Sequence, residues 1–393
     1  MRLGIYNDDV YRVSDVAGTV RVSADRAFLL FACEVGRHFD SVVLFGRTVR
    51  SDVQADYVLP GYVELAELPH YADLRQLRRL AKVSIRTIIE MWHAVARVDC
   101  VWVFGPHPFA APLIAIALAR KRSVVLGVRF DAIQYYRARL PSRRWWPVLL
   151  IVWTLDLLFR ALSRWLPTTV VGSEIAKRYG RHPRSVLQMT VSLVRDHEVA
   201  ERPADLDWNG QIQLLTIGRL DREKNPLLLI EAMAELEWRE PGRFRLIWIG
   251  RGPLEGAFAQ HSKDLGIDTR IELHGYVPFG SALFAMYRRS HMFVHTSLTE
   301  GVPQVIIEAL AFATPIVATD VGGVRAALDS GAAGVLVPPS NCSALVAAIL
   351  RVAADEELRS GLVKRGLELA RLNTLDAQAM RTAEFIAGSV VRT

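Results

Sequence analysis

Cysteine is scarce in this chain. Three residues, Cys33, Cys100 and Cys342, are scattered over 393 positions, odd in number and far apart. They match no zinc or haem spacing, and free buried thiols in a reducing cytosol are the plain reading. Also missing at the amino terminus is an apolar run long enough for a signal peptide, since MRLGIYNDD reaches Asp8 and Asp9 first. There is no low-complexity tract and no repeat with a clear period. Charged residues make up 23% and hydrophobic residues 51%, which excludes extended disorder. No nucleic-acid motif accompanies the net charge of +7, so nucleic acid is not the expected partner.

What is present starts with length, which predicts about two domains of ordinary size. The charge is unevenly shared. Through Gly210 there are 29 Lys and Arg against 21 Asp and Glu, and beyond it 19 against 20. Such asymmetry points the first half toward an anionic surface, with a membrane ahead of nucleic acid. The segment Arg143–Pro167, RRWWPVLLIVWTLDLLFRALSRWLP, is almost long enough to cross a bilayer, but Asp156, Arg160 and Arg164 interrupt it. Asp156 and Arg160 are spaced as an exposed helical pair. Two readings stay open: a helix buried in the first domain, or one lying on a membrane with Trp and Arg at the headgroups.

Short β-rich runs alternate with helical patterns throughout. RLGIY, SVVLF, DCVWVF, SVVLGV and TTVVG read as strands in the first half. QLLTIG, RLIWIG, RIELHG, MFVHT, PIVAT and GVLVP do so in the second. Helical stretches such as Ala24–Arg37, Leu227–Trp238 and Ser343–Ala353 lie between. Apolar strands spaced by helices imply an α/β fold with parallel sheets covered on both faces. The expected architecture is two doubly wound Rossmann-like domains facing each other across a cleft. Residues 1–200 form the first and 210–373 the second, with the polar stretch Arg195–Gln211 as the joint. In such sheets ligands bind beyond the carboxyl ends of the strands.

Those strand ends carry the candidate residues. Gly218 and Arg219 follow QLLTI, then DREKNP places Lys224 beside a helix with Asn225 as N-cap and Pro226 at its first position. Glycine, two cations and a helix start are the parts of an anion site, against the bland reading of a solvated loop. GRGPLEG (Gly250–Gly256) misses the dinucleotide fingerprint by one position, and Gly250 reads as a tight turn near a ligand. Gly275-Tyr276-Val277-Pro278 is another strand-end turn whose main chain would suit a flat base, or no ligand at all.

TEGVPQVIIEALAFATPIVATDVGG (Thr299–Gly323) holds Glu300 before a helix running Pro303–Ala313 and Glu308 about 7.5 Å along its axis. Glu300 and Glu308 are spaced to accept hydrogen bonds from a sugar and a ribose. With Pro303 lacking an N–H, Val302, Gln304 and Val305 offer the free amides. Glu308 sits inside VIIEALAFA, where an unpaired buried carboxylate is costly, and this favours a ligand over a surface role.

Together, GRL…KN, IGRGP, HGYVP and the Glu300–Gly323 stretch resemble the carboxyl-terminal half of glycosyltransferase family 4, retaining enzymes of the GT-B fold, over about residues 211–339. The resemblance implies that Arg219 and Lys224 hold a donor diphosphate and the backbone at Tyr276 and Val277 the base. It gives Glu308 the ribose, and Glu300 with the amides after Gly301 the donor sugar. In the first half Gly18, in VAGTV, is similar to the family's donor-facing glycine loop, which usually shows adjacent glycines. His107, in GPHP, is similar to a histidine facing the reacting sugar, though a lone histidine at a strand end is as readily structural. Arg129 and Asp131 would face the acceptor. A last helix within 374–393 would cross back to the first domain.

The implied activity is retaining transfer of a sugar from a nucleoside diphosphate sugar, the co-substrate, to an acceptor hydroxyl in polysaccharide or glycolipid synthesis. Catalytic weight would fall on Glu300, His107, Arg219 and Lys224, with no other cofactor. No metal is expected, because the only DxD pair, Asp205 and Asp207, lies in the joint. The acceptor would be a saccharide or a lipid-linked chain, and the protein cytoplasmic and peripheral on the inner membrane face. A nucleotide-sugar 2-epimerase of the same fold and a non-catalytic membrane scaffold are the rivals.

Overall fold

The computed structural model describes residues 1–16, 19–24, 28–51, 57–70, 77–139, 145–179, 185–301 and 303–390. Gly18, Arg143, Arg144 and Val302 lie outside the described residues. The chain divides into two compact units, Met1–Val191 with Gln378–Thr393, and Ser192–Ala377.

The first unit begins with β1 (Arg2–Val16), which returns antiparallel as β2 (Thr19–Ala24) with Val16 opposite Thr19. This corrects the expected short strand and the helix from Ala24. Tyr11 and Val13 are buried and Arg12 between them is not, so period-two alternation extends the strand past Tyr6. The first helix, α1, is Phe28–Gly36. Then come β3 (Ser41–Arg50), β4 (Tyr57–Val58), β5 (Val63–Leu68), α2 (Leu77–Val95), β6 (Cys100–Gly105) and α3 (Ala110–Ala119). β7 (Ser123–Val128), α4 (Ala132–Arg139), α5 (Trp146–Leu162), β8 (Thr168–Val171), α6 (Ser173–Tyr179) and β9 (Val186–Met189) complete the series. Pairing runs β5-β3-β1-β6-β7-β8-β9, all parallel, with β2 and β4 added antiparallel. Every connection from β5 to β9 moves the same way along the sheet. Right-handed crossovers then put α2, α3, α5 and α6 on one face. Met91, Leu113, Phe159 and Tyr179 from these four helices share one core with Val101, Val103 and Leu126 of the sheet.

α5 corrects two expectations. Asp156 is not exposed: it is buried at 2%. Its carboxylate takes Arg160 at 2.8 Å, Arg178 at 3.1 Å and the Tyr179 hydroxyl at 2.7 Å. The helix is not buried either. Val152, Asp156 and Phe159 face inward while Trp146, Leu150 and Leu157 are exposed.

The second unit opens with the polar stretch from Ser192, pinned by Arg195 to Asp376 at 3.0 Å. Its first elements are β10 (Ile212–Ile217), α7 (Pro226–Arg239), β11 (Phe244–Ile249), α8 (Glu255–Asp264), β12 (Ile271–Gly275) and α9 (Ser281–Arg289). They are followed by β13 (Met292–His295), α10 (Gln304–Ala311), β14 (Ile316–Thr319), α11 (Val324–Ala327) and β15 (Val335–Val337). α12 (Cys342–Ala354), α13 (Glu356–Leu372) and α14 (Leu375–Val390) end the chain, and from Gln378 onward α14 belongs to the first unit. The six strands are parallel in the order β12-β11-β10-β13-β14-β15. Leu229, Trp248 and Leu345 pack on one face and Phe284, Ile306 and Leu310 on the other, so the sheet is covered twice, as its continuous apolar strands require. The direction of winding reverses between β10 and β13. In a doubly wound sheet that reversal opens a crevice at the carboxyl ends, and the candidate residues follow those two strands.

Candidate functional site

Beyond β10 the chain is held by backbone contacts too close for any side chain. Gly250 has φ of 133°, and a Cβ there would stand 2.1 Å from the Gly218 carbonyl oxygen. Gly218 N donates to Ile249 O at 2.9 Å and Gly250 N to Gly275 O at 2.7 Å, so the turns after β10, β11 and β12 lie side by side. Tyr276 is exposed and Val277 packs on the core behind that row. A single turn of 3-10 helix, Arg222–Lys224, follows with Asp221 accepting from Lys224 N. Asn225 is the N-cap as expected, but by its left-handed backbone, φ 48°, and not through its side chain; Pro226 opens α7.

The loop after β13 is tied to this turn. Thr296 Oγ1 donates to Lys224 O at 2.9 Å, and Leu298 N to Glu223 O at 2.8 Å. Three donors converge on one oxygen of Glu300: Lys224 Nζ in an ion pair, His295 Nε2 at 3.0 Å and Ser297 Oγ at 2.7 Å. Oε2 takes no hydrogen bond from the described residues, so it is the oxygen left for a ligand. Burial works against ionisation of Glu300, but the bond from His295 and the charge of Lys224 outweigh it and hold the carboxyl down at about 2. Burial keeps His295 below the ordinary imidazole value, against the pull of Glu300. From behind, Gly323 N donates to Glu300 O at 3.3 Å. Gly322, at φ 50°, approaches so closely that a Cβ would lie 1.9 Å from that oxygen.

Both expected cations are therefore already paired. Lys224 meets Glu300, and Arg219 meets Asp221 at 2.7 Å and Glu223 at 3.2 Å. A dianionic ligand would replace these carboxylates as their partner. α10 begins at Gln304, with Pro303 as an extended N-cap and not the first helical residue, and ends at Ala311. The amides of Gln304 and Val305 belong to its first turn, where no acceptor within the helix exists. At Gly301 an added Cβ would meet nothing within 4 Å, which leaves that side open.

Glu308 lies in α10, buried, and is not unpaired as its setting suggests: the Tyr287 hydroxyl donates to Oε2 at 2.8 Å. Burial raises its carboxyl to about 7, and the tyrosine bond only moderates the rise. Because the folded value exceeds the ordinary 4.5, ionising Glu308 costs stability as pH rises from about 4.5 to 7. Glu300 behaves oppositely: its contribution is present above about 4.5 and lost as pH falls toward 2. Glu308→Gln keeps an acceptor for Tyr287 and removes the ionisation. In urea titrations it is expected to gain about 2–3 kcal/mol on the wild type between pH 5 and pH 8. Parallel stability curves over that range would show that Glu308 titrates as an ordinary carboxyl.

Among the described residues, no group of three or more His, Cys, Asp or Glu could hold a metal ion. A hollow of about 900 Å3 in the second unit lies elsewhere. Asp207, Trp208 and His291 line it, just ahead of β10 and β13, so it opens at the amino ends of the strands. The candidate residues lie at the opposite end, beyond the carboxyl ends of β10 and β13.

In the first unit β6 and β1 flank the equivalent reversal. His107, just after β6, receives Phe109 N at Nδ1, meets the Tyr6 hydroxyl at 3.1 Å and directs Nε2 to Asp8 at 3.0 Å. Asp8 also pairs with Arg47 at 3.0 Å. Arg129 stacks on the Phe28 ring at 3.6 Å and Asp131 is paired with Arg178. Sequence reasoning missed Asp8, Tyr287, His295, Ser297 and Gly322. Only Ser297 and His295 left a trace, three and five residues before Glu300.

Two Rossmann-like units with this winding are the fold of the GT-B glycosyltransferases. Sucrose-phosphate synthase from Thermosynechococcus elongatus superposes with a TM-score of 0.71 at 16% identity, covering all of both chains. Residues 200–368 match the family model described as glycosyl transferases group 1. D-inositol 3-phosphate glycosyltransferase of Corynebacterium glutamicum (strain R) is 32% identical over 174 residues, 43% of this chain and 41% of that protein. Phosphatidyl-myo-inositol mannosyltransferase of Mycolicibacterium smegmatis is 29% identical over 184 residues, 46% of each. The chain thus spans less than half the length of these relatives.

Proposed function

We propose that the chain transfers a glycosyl group from a nucleoside diphosphate sugar to an acceptor hydroxyl with retained anomeric configuration. The observation that carries this reading is the Lys224–Glu300 ion pair at the winding reversal, with Arg219 held by Asp221 in the turn that carries Lys224. As the sugar–phosphate bond breaks, negative charge grows on the departing diphosphate, and fixed cations and amides stabilise it most where no solvent must reorganise. Lys224 and Arg219 exchange their internal carboxylates for the diphosphate. Oε2 of Glu300 accepts from sugar hydroxyls, and Glu308 accepts from the ribose. With two cations and helix amides on the diphosphate, the reaction needs no metal and no further cofactor. The base lies against the main chain at Gly250, Tyr276 and Val277. Attack from the face the leaving group vacates would retain the configuration without a covalent intermediate.

The acceptor we infer is a lipid-linked saccharide or glycolipid, with Arg129 and Asp131 on its side and the protein in the cytoplasm. Support comes from the basic first half and from a relative named for phosphatidyl-myo-inositol.

A thermal-shift panel of nucleoside diphosphate sugars tests the reading. At a hundred times its Kd, the preferred donor is expected to add about 2.7 kcal/mol of stability. Labelled sugar should then pass to an acceptor and not to a free epimer. A panel in which no donor moves the midpoint overturns the proposal, and interconversion without acceptor gives the protein to the epimerases.

A further inference from the structure

We infer that the outer surface of the first unit's helical layer, formed by α2 and α5, docks on an anionic lipid surface. This goes beyond the glycosyl-transfer reading and stands on different residues.

α5 is folded inside out. Between Trp145 and Phe159 its only charged side chain is Asp156, and that one points inward. Arg160, Arg178 and Tyr179 clamp it there. The clamp fixes the rotation of the helix and leaves Trp146 at 72%, Leu150 at 55% and Ile151 at 54% exposed, with Trp153, Leu157 and Leu158 beside them. A soluble helix normally does the reverse. α2 repeats the pattern with a stripe that the sequence reading passed over. Ile85, Ile88, Ile89 and Trp92 are all exposed, at spacings of three and four, while Thr87, Met91 and Ala94 face the core. A single exposed apolar residue needs no explanation, but two unpartnered helical faces on one layer do.

The helices are also joined by what lies between them. Arg120, at the end of α3, stacks over the Trp92 ring at 4.1 Å. Leu118, Lys121 and Trp165 line one hollow of about 390 Å3. The apolar surface therefore carries cations at its margins, with Arg86, Lys121 and Arg164 exposed. Residues 77–86 hold four basic side chains and no acid.

That pattern names the occupant. A second copy of the chain would set these cations against themselves across a two-fold axis, whereas phosphate headgroups neutralise them. Among the described residues no helix is long and apolar enough to cross a membrane. α5, at 17 residues, would lie in the interface with its tryptophans at headgroup depth.

The test is flotation of the full chain with vesicles of phosphatidylcholine alone or mixed with phosphatidylglycerol. Wild type is expected to float with the mixed vesicles at low salt, and much less with the neutral ones. Leu150→Glu with Leu157→Glu, both exposed and so compatible with folding, is expected to weaken lipid affinity by roughly tenfold or more. Ile88→Glu in α2 should weaken it independently. Thermal midpoint and nucleoside diphosphate binding should be unchanged in both variants, which separates this surface from the sugar-donor site. Wild type that stays with the soluble fraction, glutamate variants that float as well as wild type, or equal binding to neutral vesicles each overturn the inference. So does a light-scattering dimer that the α5 glutamates dissociate, since the face then belongs to a second copy.

Discussion

Lys224→Ala is expected to lower kcat/KM by about 10²–10³-fold, the effect of removing one charge-stabilising donor from a transition state. The side chain is mostly buried and its ammonium is committed to Glu300 in the free protein. Its loss acts twice. The departing diphosphate loses a cation, and Glu300 keeps only His295 and Ser297 on Oε1, so its carboxyl rises from about 2 toward the ordinary range. The second effect costs about 1–3 kcal/mol of stability, discounted from the fully buried case because both partners keep some solvent. Steady-state kinetics, nucleoside diphosphate titration and urea unfolding measure the three consequences separately. A variant with wild-type turnover and wild-type diphosphate affinity would remove Lys224 from the site.

Gly322→Ala carries the largest expected loss of stability. The residue has φ of 50°, where any side chain is strained, and the added methyl would stand 1.9 Å from the Glu300 carbonyl oxygen. Backbone on both sides leaves no flexible group to yield. About 3 kcal/mol is expected, a fall in midpoint of about 6–12 °C for a domain of this size. Any variant that survives must move Glu300, so donor affinity should fall with stability. Gly301→Ala, where the new methyl meets nothing, is the matched control and should fold normally. Equal midpoints for the two variants would contradict this account of the turn.

The contrast between these glycines marks what the sequence could convey. The eleven expected strands are all present because each is a run of apolar residues with turn chemistry at its end, and the parallel pairing of the second sheet follows from their alternation with helices. The extension of β1 into a hairpin was hidden, since Asn7, Asp8 and Asp9 interrupt the apolar run and resemble a loop. Arg219, Lys224, Glu300 and Glu308 were legible by type and spacing, but their pairing was not. Sequence shows a charge without its counter-charge: Glu308 looked unsatisfied because Tyr287 lies 21 positions away. α5 was misjudged for the same reason. Asp156 four residues from Arg160 is the pattern of a surface pair, and only Arg178 and Tyr179 from another helix turn it inward.

The return of α14 to the first unit has a bearing on biosynthesis. Ala379, Ala383 and Ile386 are buried, and Gln378 accepts from the backbone of Thr190. The amino-terminal unit therefore stays incomplete while the ribosome makes the whole of the second, and the second unit, though begun later, is the first that can close its own core. Nascent chains halted before Gln378 should expose a gap in the earlier unit to proteases and chaperones, and nonsense mutations far downstream would be felt at the opposite end of the polypeptide.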